Sequence, residues 1–229
     1  MPGEKGIMTR VILVVTAVCA LSAAVRADSG DSASAEDFEP LFNGVNLVGW
    51  LATSGHARDW SVEDGEIVVS GRSPDGARKL RTATKYESFE LRLEFMVAEG
   101  GNSGVFFRMG EEDLGLEIQL LDDSAAKHRD LKDWQYSGSL YGMAAPARRV
   151  SRSSGEWQDM IVHLKGQELS IALNGSWIVE TNLDEHLSSE EASDWHEPLR
   201  RTSGYLGLQN YGTETRFRNI GIRRLDTPY

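Results

Sequence analysis

The chain has 229 residues, a single cysteine (Cys19) and a formal net charge of −11 at pH 7. So acidic a surface, with no basic cluster to offset it, repels nucleic acid and anionic lipid and leaves neutral or cationic partners. One cysteine, near the start, excludes an internal disulfide framework and thiol chemistry in the body of the protein.

Lys5 and Arg10 precede an apolar run at residues 11–24 (VILVVTAVCALSAA), and Val25-Arg26-Ala27 follows with small residues at cleavage spacing. Residues 1–27 are therefore expected to be a secretory signal peptide. The run is short and rich in small residues at its end, so no stable membrane insertion is expected once the leader is removed; the alternative is an N-terminal anchor. The expected location is secreted or periplasmic. Residues 28–37 (DSGDSASAED) are a polar, acidic linker with nothing to bury. Residues 38–229 are long enough for one sizeable core and show no repeat.

Within that domain the pattern is mostly period two. Residues 60–70 (WSVEDGEIVVS) read as a hairpin around Asp64-Gly65. Residues 89–97 alternate strictly, with Phe89, Leu91, Leu93, Phe95 and Val97 on one face. Residues 101–123 (GNSGVFFRMGEEDLGLEIQLLDD) read as two strands joined by an acidic loop, in which Leu116, Ile118 and Leu120 face one way and Glu117, Gln119 and Leu121 the other. Residues 160–173 alternate around a turn at Gly166, His163 falling on the outer side, and Asn174-Gly175 leads into Trp177, Ile178 and Val179. Residues 183–192 alone look helical, and two strands end the chain. Trp50 and Trp157 are expected to anchor the core. Many short strands with regular turn signals predict an antiparallel β-sandwich. Residues 124–139 (SAAKHRDLKDWQYSGS) form the longest structureless polar stretch, a length that is usually functional or disordered.

Asn102, Arg108, Glu117 and Gln119 sit among residues that should be buried. Polar groups so placed must be paired or must serve a ligand, since an unpaired one costs roughly 1–3 kcal/mol. Glu117 and Gln119 share a face, and Arg, Glu and Gln together suit a ligand rich in hydroxyls. A retaining glycosidase needs a second carboxyl group about 5–5.5 Å from the first. The same-face positions are Glu, Gln and Leu, so that chemistry requires Asp122 or Asp123 to reach back. The plainer alternative is a Glu117–Arg108 ion pair. Asn102-Ser103-Gly104 reads as a tight turn before a strand. Arg108 either reaches solvent or enters the cleft, where it can bind a hydroxyl or stabilise an oxyanion. His128 lies six residues after Asp122; its spacing matches no metal motif, and a lone loop histidine is commonly a surface residue. Tyr141 (SGSLYG), Gln209 and Tyr211 (GLQNYG) lie at strand ends, where rings stack on sugars and amides bind hydroxyls. A phosphate loop and a nucleophile-elbow motif are both absent.

Seven segments, in order from Phe38 to Leu225, resemble the 3-keto-disaccharide hydrolase domain family. They are LFNGVNLVGW, WSVEDGEIVVSG, YESFELRLEFMVAEGGNSGVFFR, GLEIQLLDD, SGSLYG, GEWQDMIVHLKGQELSIALNG and GYLGLQNYGTETRFRNIGIRRL. The resemblance implies an all-β, concanavalin A-like jelly roll of two antiparallel sheets. It also implies action on glycosides carrying a ketone at C3. There one base suffices: it removes the acidified C2 proton, donors or a cation hold the enolate, the C1 substituent leaves, and water adds. By position Glu117, Gln119 and Asp122 match the family's strand motif, His128 the histidine after it, and Tyr141 its (A/S)LY tyrosine. On the enzyme reading Glu117 or His128 is the base, Arg108 the oxyanion stabiliser, and Asn102, Gln119, Asp122, Tyr141, Gln209 and Tyr211 substrate contacts. A divalent metal is a further candidate stabiliser; no organic cofactor is expected. One departure stands out: Asn210-Tyr211-Gly212 replaces the family's usual Asp-His-Gly. That keeps a second reading open, a non-catalytic carbohydrate-binding sandwich on the same fold.

Overall fold

The computed structural model describes residues 38–53, 57–72, 78–190, 192–193 and 196–226. The leader and linker expected over residues 1–37 lie outside these. In chain order the strands are β1 (Glu39–Pro40), β2 (Trp50–Ala52), β3 (Trp60–Glu63), β4 (Glu66–Ser70), β5 (Arg78–Tyr86), β6 (Phe89–Val97) and β7 (Asn102–Met109). There follow β8 (Leu116–Leu121), β9 (Gln158–Lys165), β10 (Glu168–Leu173), β11 (Ser176–Asn182), β12 (Gly204–Asn210) and β13 (Glu214–Arg224). They form two antiparallel sheets. One has the order β11-β10-β9-β6-β13-β4-β3, with β1 beside β13; the other has the order β2-β5-β12-β7-β8. This is the jelly-roll sandwich expected from the sequence.

The alternation of the strands makes the core. Phe89, Leu91, Leu93, Phe95 and Val97 of β6 join Val105 and Phe107 of β7, Leu116, Ile118 and Leu120 of β8 and Leu208 of β12 in one buried cluster between the sheets. Each such side chain contributes roughly 1.5–3 kcal/mol on burial. The hairpin turns are as the sequence predicts. Asp64 and Gly65 have φ of 51° and 81°, and Asn174 and Gly175 50° and 75°. Two consecutive positive φ values match the right-handed twist of the flanking strands, and Asp-Gly and Asn-Gly tolerate them.

Three local expectations are corrected. Asn102 is the first residue of β7; the turn before it is closed by the Gly101 amide donating to the Ala98 carbonyl at 2.7 Å. Trp157 is half-buried beneath the Arg218 guanidinium, 3.8 Å from its ring centre, whereas Trp50 does join the core. The helical expectation over 183–192 reduces to one 3-10 turn at Leu183–His186, and the short helix α1 comes later, at His196–Arg200.

Candidate active site

The site lies on the second sheet, on the face turned away from the core. Cross-strand register builds it in rows. In one row Lys79 of β5 stands opposite Gln209 of β12, and Gly104 of β7 opposite Gln119 of β8. In the next, Arg81 stands opposite Gly207, Gly207 opposite Phe106, and Phe106 opposite Glu117. Gly104 leaves the floor open. A Cβ there would lie 2.3 Å from Glu117 Oε1 and 3.0 Å from its Cδ, so the carboxyl group rests over the bare glycine. The Gln209 side chain hydrogen-bonds it.

The polar stretch after β8 is the wall. It closes the free edge of β8: the Gly138 amide donates to the Gln119 carbonyl at 2.8 Å, the Gln119 amide to Ser139 at 3.1 Å, and the Tyr141 amide to Glu117 at 2.9 Å. Its serines and Tyr136 satisfy the remaining backbone groups. Ser137 Oγ donates to the Leu121 carbonyl and accepts from the Leu121 amide, and the Tyr136 hydroxyl donates to the His128 and Arg129 carbonyls. A polar segment can pack this tightly because nearly every polar group finds a partner.

The result is a cavity of about 190 Å³, several times the ~30 Å³ a water takes up in the liquid. Seven of the residues expected to act line it: Asn102, Glu117, Gln119, His128, Tyr141, Gln209 and Tyr211. Leu121, Leu131 and Gln135 complete it and were not foreseen. Gln119 Nε2 donates to Asn102 Oδ1 at 3.1 Å, and Gln135 Nε2 to the Tyr141 hydroxyl at 3.1 Å. Trp134 meets Tyr141 edge-on at 5.1 Å. Tyr211 stands at the rim, 52% exposed. Asn210 beneath it is buried; its Oδ1 accepts from the Gly212 amide at 3.2 Å and fixes the turn.

His128 is no surface residue: it is only 8% exposed. Its Nδ1 lies 2.8 Å from the Asp122 carbonyl oxygen. A carbonyl only accepts, so Nδ1 carries the hydrogen, and in the neutral ring Nε2 holds the lone pair. Asp122 therefore acts through its backbone, which corrects its expected place among the substrate contacts. Its carboxylate accepts from the Gly100 amide (2.8 Å), the Ser124 amide (3.1 Å) and Ser124 Oγ (2.6 Å). Burial pushes the Asp122 carboxyl upward, but the bonds from Ser124 and Gly100 outweigh it and hold it below the usual aspartate range.

Arg108 is corrected as well. By alternation it should share the face of Asn102, Gly104 and Phe106. Between Phe106 and Met109 the β7–β12 register shifts, and Arg108 has a φ of 51°, so a bulge turns it away from that face. Arg108 is 2% exposed, and its guanidinium donates to the carbonyls of Leu199 (3.0 Å) and Gly166 (2.7 Å) and to Gln167 Oε1. Burial lowers it to about 10. It neither lines the cavity nor pairs with Glu117.

The cation coupled to Glu117 is Lys79, which the sequence reading passed over. Burial raises the Glu117 carboxyl to about 8, with Lys79 and the Gln209 bond pulling it back. Burial likewise lowers the Lys79 ammonium, and Glu117 and Asp113 oppose that. The alternation of RKLRTATKY places Lys79 opposite Leu80, but only the pairing of β5 with β12 brings it beside the site. A divalent metal fits poorly. Among the described residues no three His, Cys, Asp or Glu side chains converge. Among the described residues lining the cavity only Glu117 and His128 offer such donors, and Glu117 already feels the Lys79 ammonium.

A family model described as the 3-keto-alpha-glucoside-1,2-lyase-like domain matches residues 37–223. The chain belongs to this family. It is similar to the 3-keto-disaccharide hydrolase of Bacteroides thetaiotaomicron. The two are 26% identical, over 84% of this chain and 80% of the relative. A crystal structure from Parabacteroides distasonis, of a protein proposed to be a glycosyl hydrolase, is 30% identical with a TM-score of 0.72. It covers 82% of this chain and 99% of its own. A Bacillus subtilis protein with a galectin-like fold (12% identical, TM-score 0.55, covering 83% of this chain and 96% of its own) shares the fold alone.

Proposed function

We propose that the protein is a glycoside-cleaving enzyme acting on carbohydrates oxidised to a ketone at C3. Family membership and the named hydrolase relative support the coarser statement, a glycoside-acting hydrolase. The finer one rests on a single observation: one carboxyl group of raised proton affinity, set over Gly104 in a cavity that also holds His128. Among the described residues no second carboxylate lines that cavity, so two-carboxylate glycoside hydrolysis has no acid–nucleophile pair to use.

A ketone at C3 makes the C2 proton acidic. The Glu117 carboxylate takes that proton, and its raised proton affinity makes it a stronger base once ionised. Negative charge moves to the C3 oxygen, where the amide N–H groups of Asn102, Gln119 and Gln209 are the available donors. The bond from C1 to the leaving oxygen breaks. His128, held through Nδ1, presents Nε2: as the imidazolium it gives its Nε2 proton to the leaving oxygen, and as the neutral ring it takes one back from the water that then adds to C1. Return of a proton to C2 completes a net hydrolysis. Glu117, Gln119, His128 and Tyr141 converge on the cavity, which favours the enzyme over pure carbohydrate binding; Arg108, the other expected acting residue, lies outside it. The test is turnover of 3-keto-trehalose and 3-keto-glucosides, with and without divalent metal, by wild type and Glu117→Gln. Wild type should release 3-keto-glucose and the variant should not; no turnover of any 3-keto sugar would reject the reading.

A further inference from the structure

We propose that Lys79 is the positioning residue that sets the charge of Glu117, and with it the pH range in which the site works. The assignment rests on the reading of Glu117 as base. Lys79 is aligned with Gln209, which itself hydrogen-bonds Glu117. Its ammonium is fixed from two sides. Nζ donates to the Asp113 carbonyl at 2.7 Å and sits 4.2 Å from the centre of the Phe106 ring, the residue opposite Glu117. Among the described residues it makes no ion pair with a carboxylate. The other cations nearby are committed elsewhere. Arg81 binds Glu111 and lies over the Tyr205 ring, Arg201 binds Glu112 and Glu197, and Arg108 is turned away. The further titratable groups around the carboxyl are His128 and Tyr141 from the wall and Tyr211 from the rim. His128 has its Nδ1 tied to the Asp122 carbonyl. Lys79 is thus the cation placed to oppose the burial of Glu117. Its own stem is spent on Asp113 and Phe106, so it acts through Glu117.

The test reads Glu117 directly. Protein labelled with 13C at glutamate side-chain carboxyls is titrated by NMR, and the Glu117 resonance is assigned by its loss in Glu117→Gln. Lys79→Met keeps the apolar stem and removes the charge; Lys79→Gln serves if Met impairs folding, and Lys79→Arg restores the charge. The Glu117 transition should move up by about one pH unit in Lys79→Met or Lys79→Gln, a tenfold loss of ionised carboxylate at a fixed pH below the transition. Lys79→Arg should return it most of the way. The rising limb of 3-keto-glucoside turnover should shift by the same amount. A transition that stays within about 0.3 units of wild type in the charge-removing variants would overturn the assignment. A shifted transition in a protein that turns over no 3-keto sugar would support the Lys79 assignment while rejecting the function proposed above.

Discussion

Gly104 and Glu117 share one volume: the carboxyl of the second occupies the space that a side chain on the first would need, 2.3 Å from an added Cβ. Gly104 keeps a negative φ, so alanine is acceptable to its backbone and the nearest clash is with the Glu117 side chain, its carboxyl oxygen first. Gly104→Ala should leave the sandwich folded and push Glu117 off Gln209. We expect kcat/KM to fall at least tenfold, about 1.4 kcal/mol of transition-state stabilisation, with an unchanged circular dichroism spectrum. Activity within twofold of wild type would mean that the carboxyl position is unimportant.

Glu117 also makes a prediction about stability. Its folded value, about 8, lies above the ordinary glutamate value of ~4.3. The native state therefore holds the proton more tightly than the unfolded chain. This contribution is fully present below pH ~4 and is lost as pH rises through about 8. Glu117→Gln removes the titration. Its Tm should match wild type at pH 4 and exceed it by about 3 °C or more at pH 9, read by thermal unfolding across that range. Wild-type turnover should rise with pH up to about 8.

His128→Asn separates the two ring nitrogens. Asparagine can still donate to the Asp122 carbonyl, as Nδ1 does at 2.8 Å, but offers nothing in the place of Nε2. The loop should stay closed and turnover should fall by about 10²–10⁴. Ligand binding, followed by titration with unreactive reduced disaccharide, should change little.

Arg108→Met should do the reverse. It strands the acceptors at Leu199, Gly166 and Gln167 away from water. We expect a loss of about 3 kcal/mol or more in urea unfolding, since hydrogen bonds from charged groups count for roughly 1.5–3 kcal/mol each. Activity per folded molecule should stay within twofold.

These residues also show what was legible in the sequence. Strict alternation in β6 and β8 fixed which face was core, and the Asp64-Gly65 and Asn174-Gly175 turns fixed two hairpins, because both signals are local. Glu117 and Gln119 could be assigned to one face for the same reason. Arg108 could not, because the bulge that turns it away is a two-strand feature between β7 and β12. Lys79 was hidden for a related reason: β5 and β12 are more than a hundred residues apart, and only their register brings Lys79 beside Gln209. His128 looked like a surface residue because the wall buries it through serine, tyrosine and backbone bonds, which leave no hydrophobic pattern.

The central claim is proton removal from C2 by Glu117. It is tested most directly with a 3-keto-glucoside carrying deuterium at C2, comparing its turnover with that of the protium substrate. The account predicts a slower deuterated substrate, roughly threefold or more in kcat/KM where proton transfer limits the rate, and C2 exchange with solvent in the released sugar. Turnover that leaves the C2 deuterium wholly in place, with equal rates for both substrates, would contradict it.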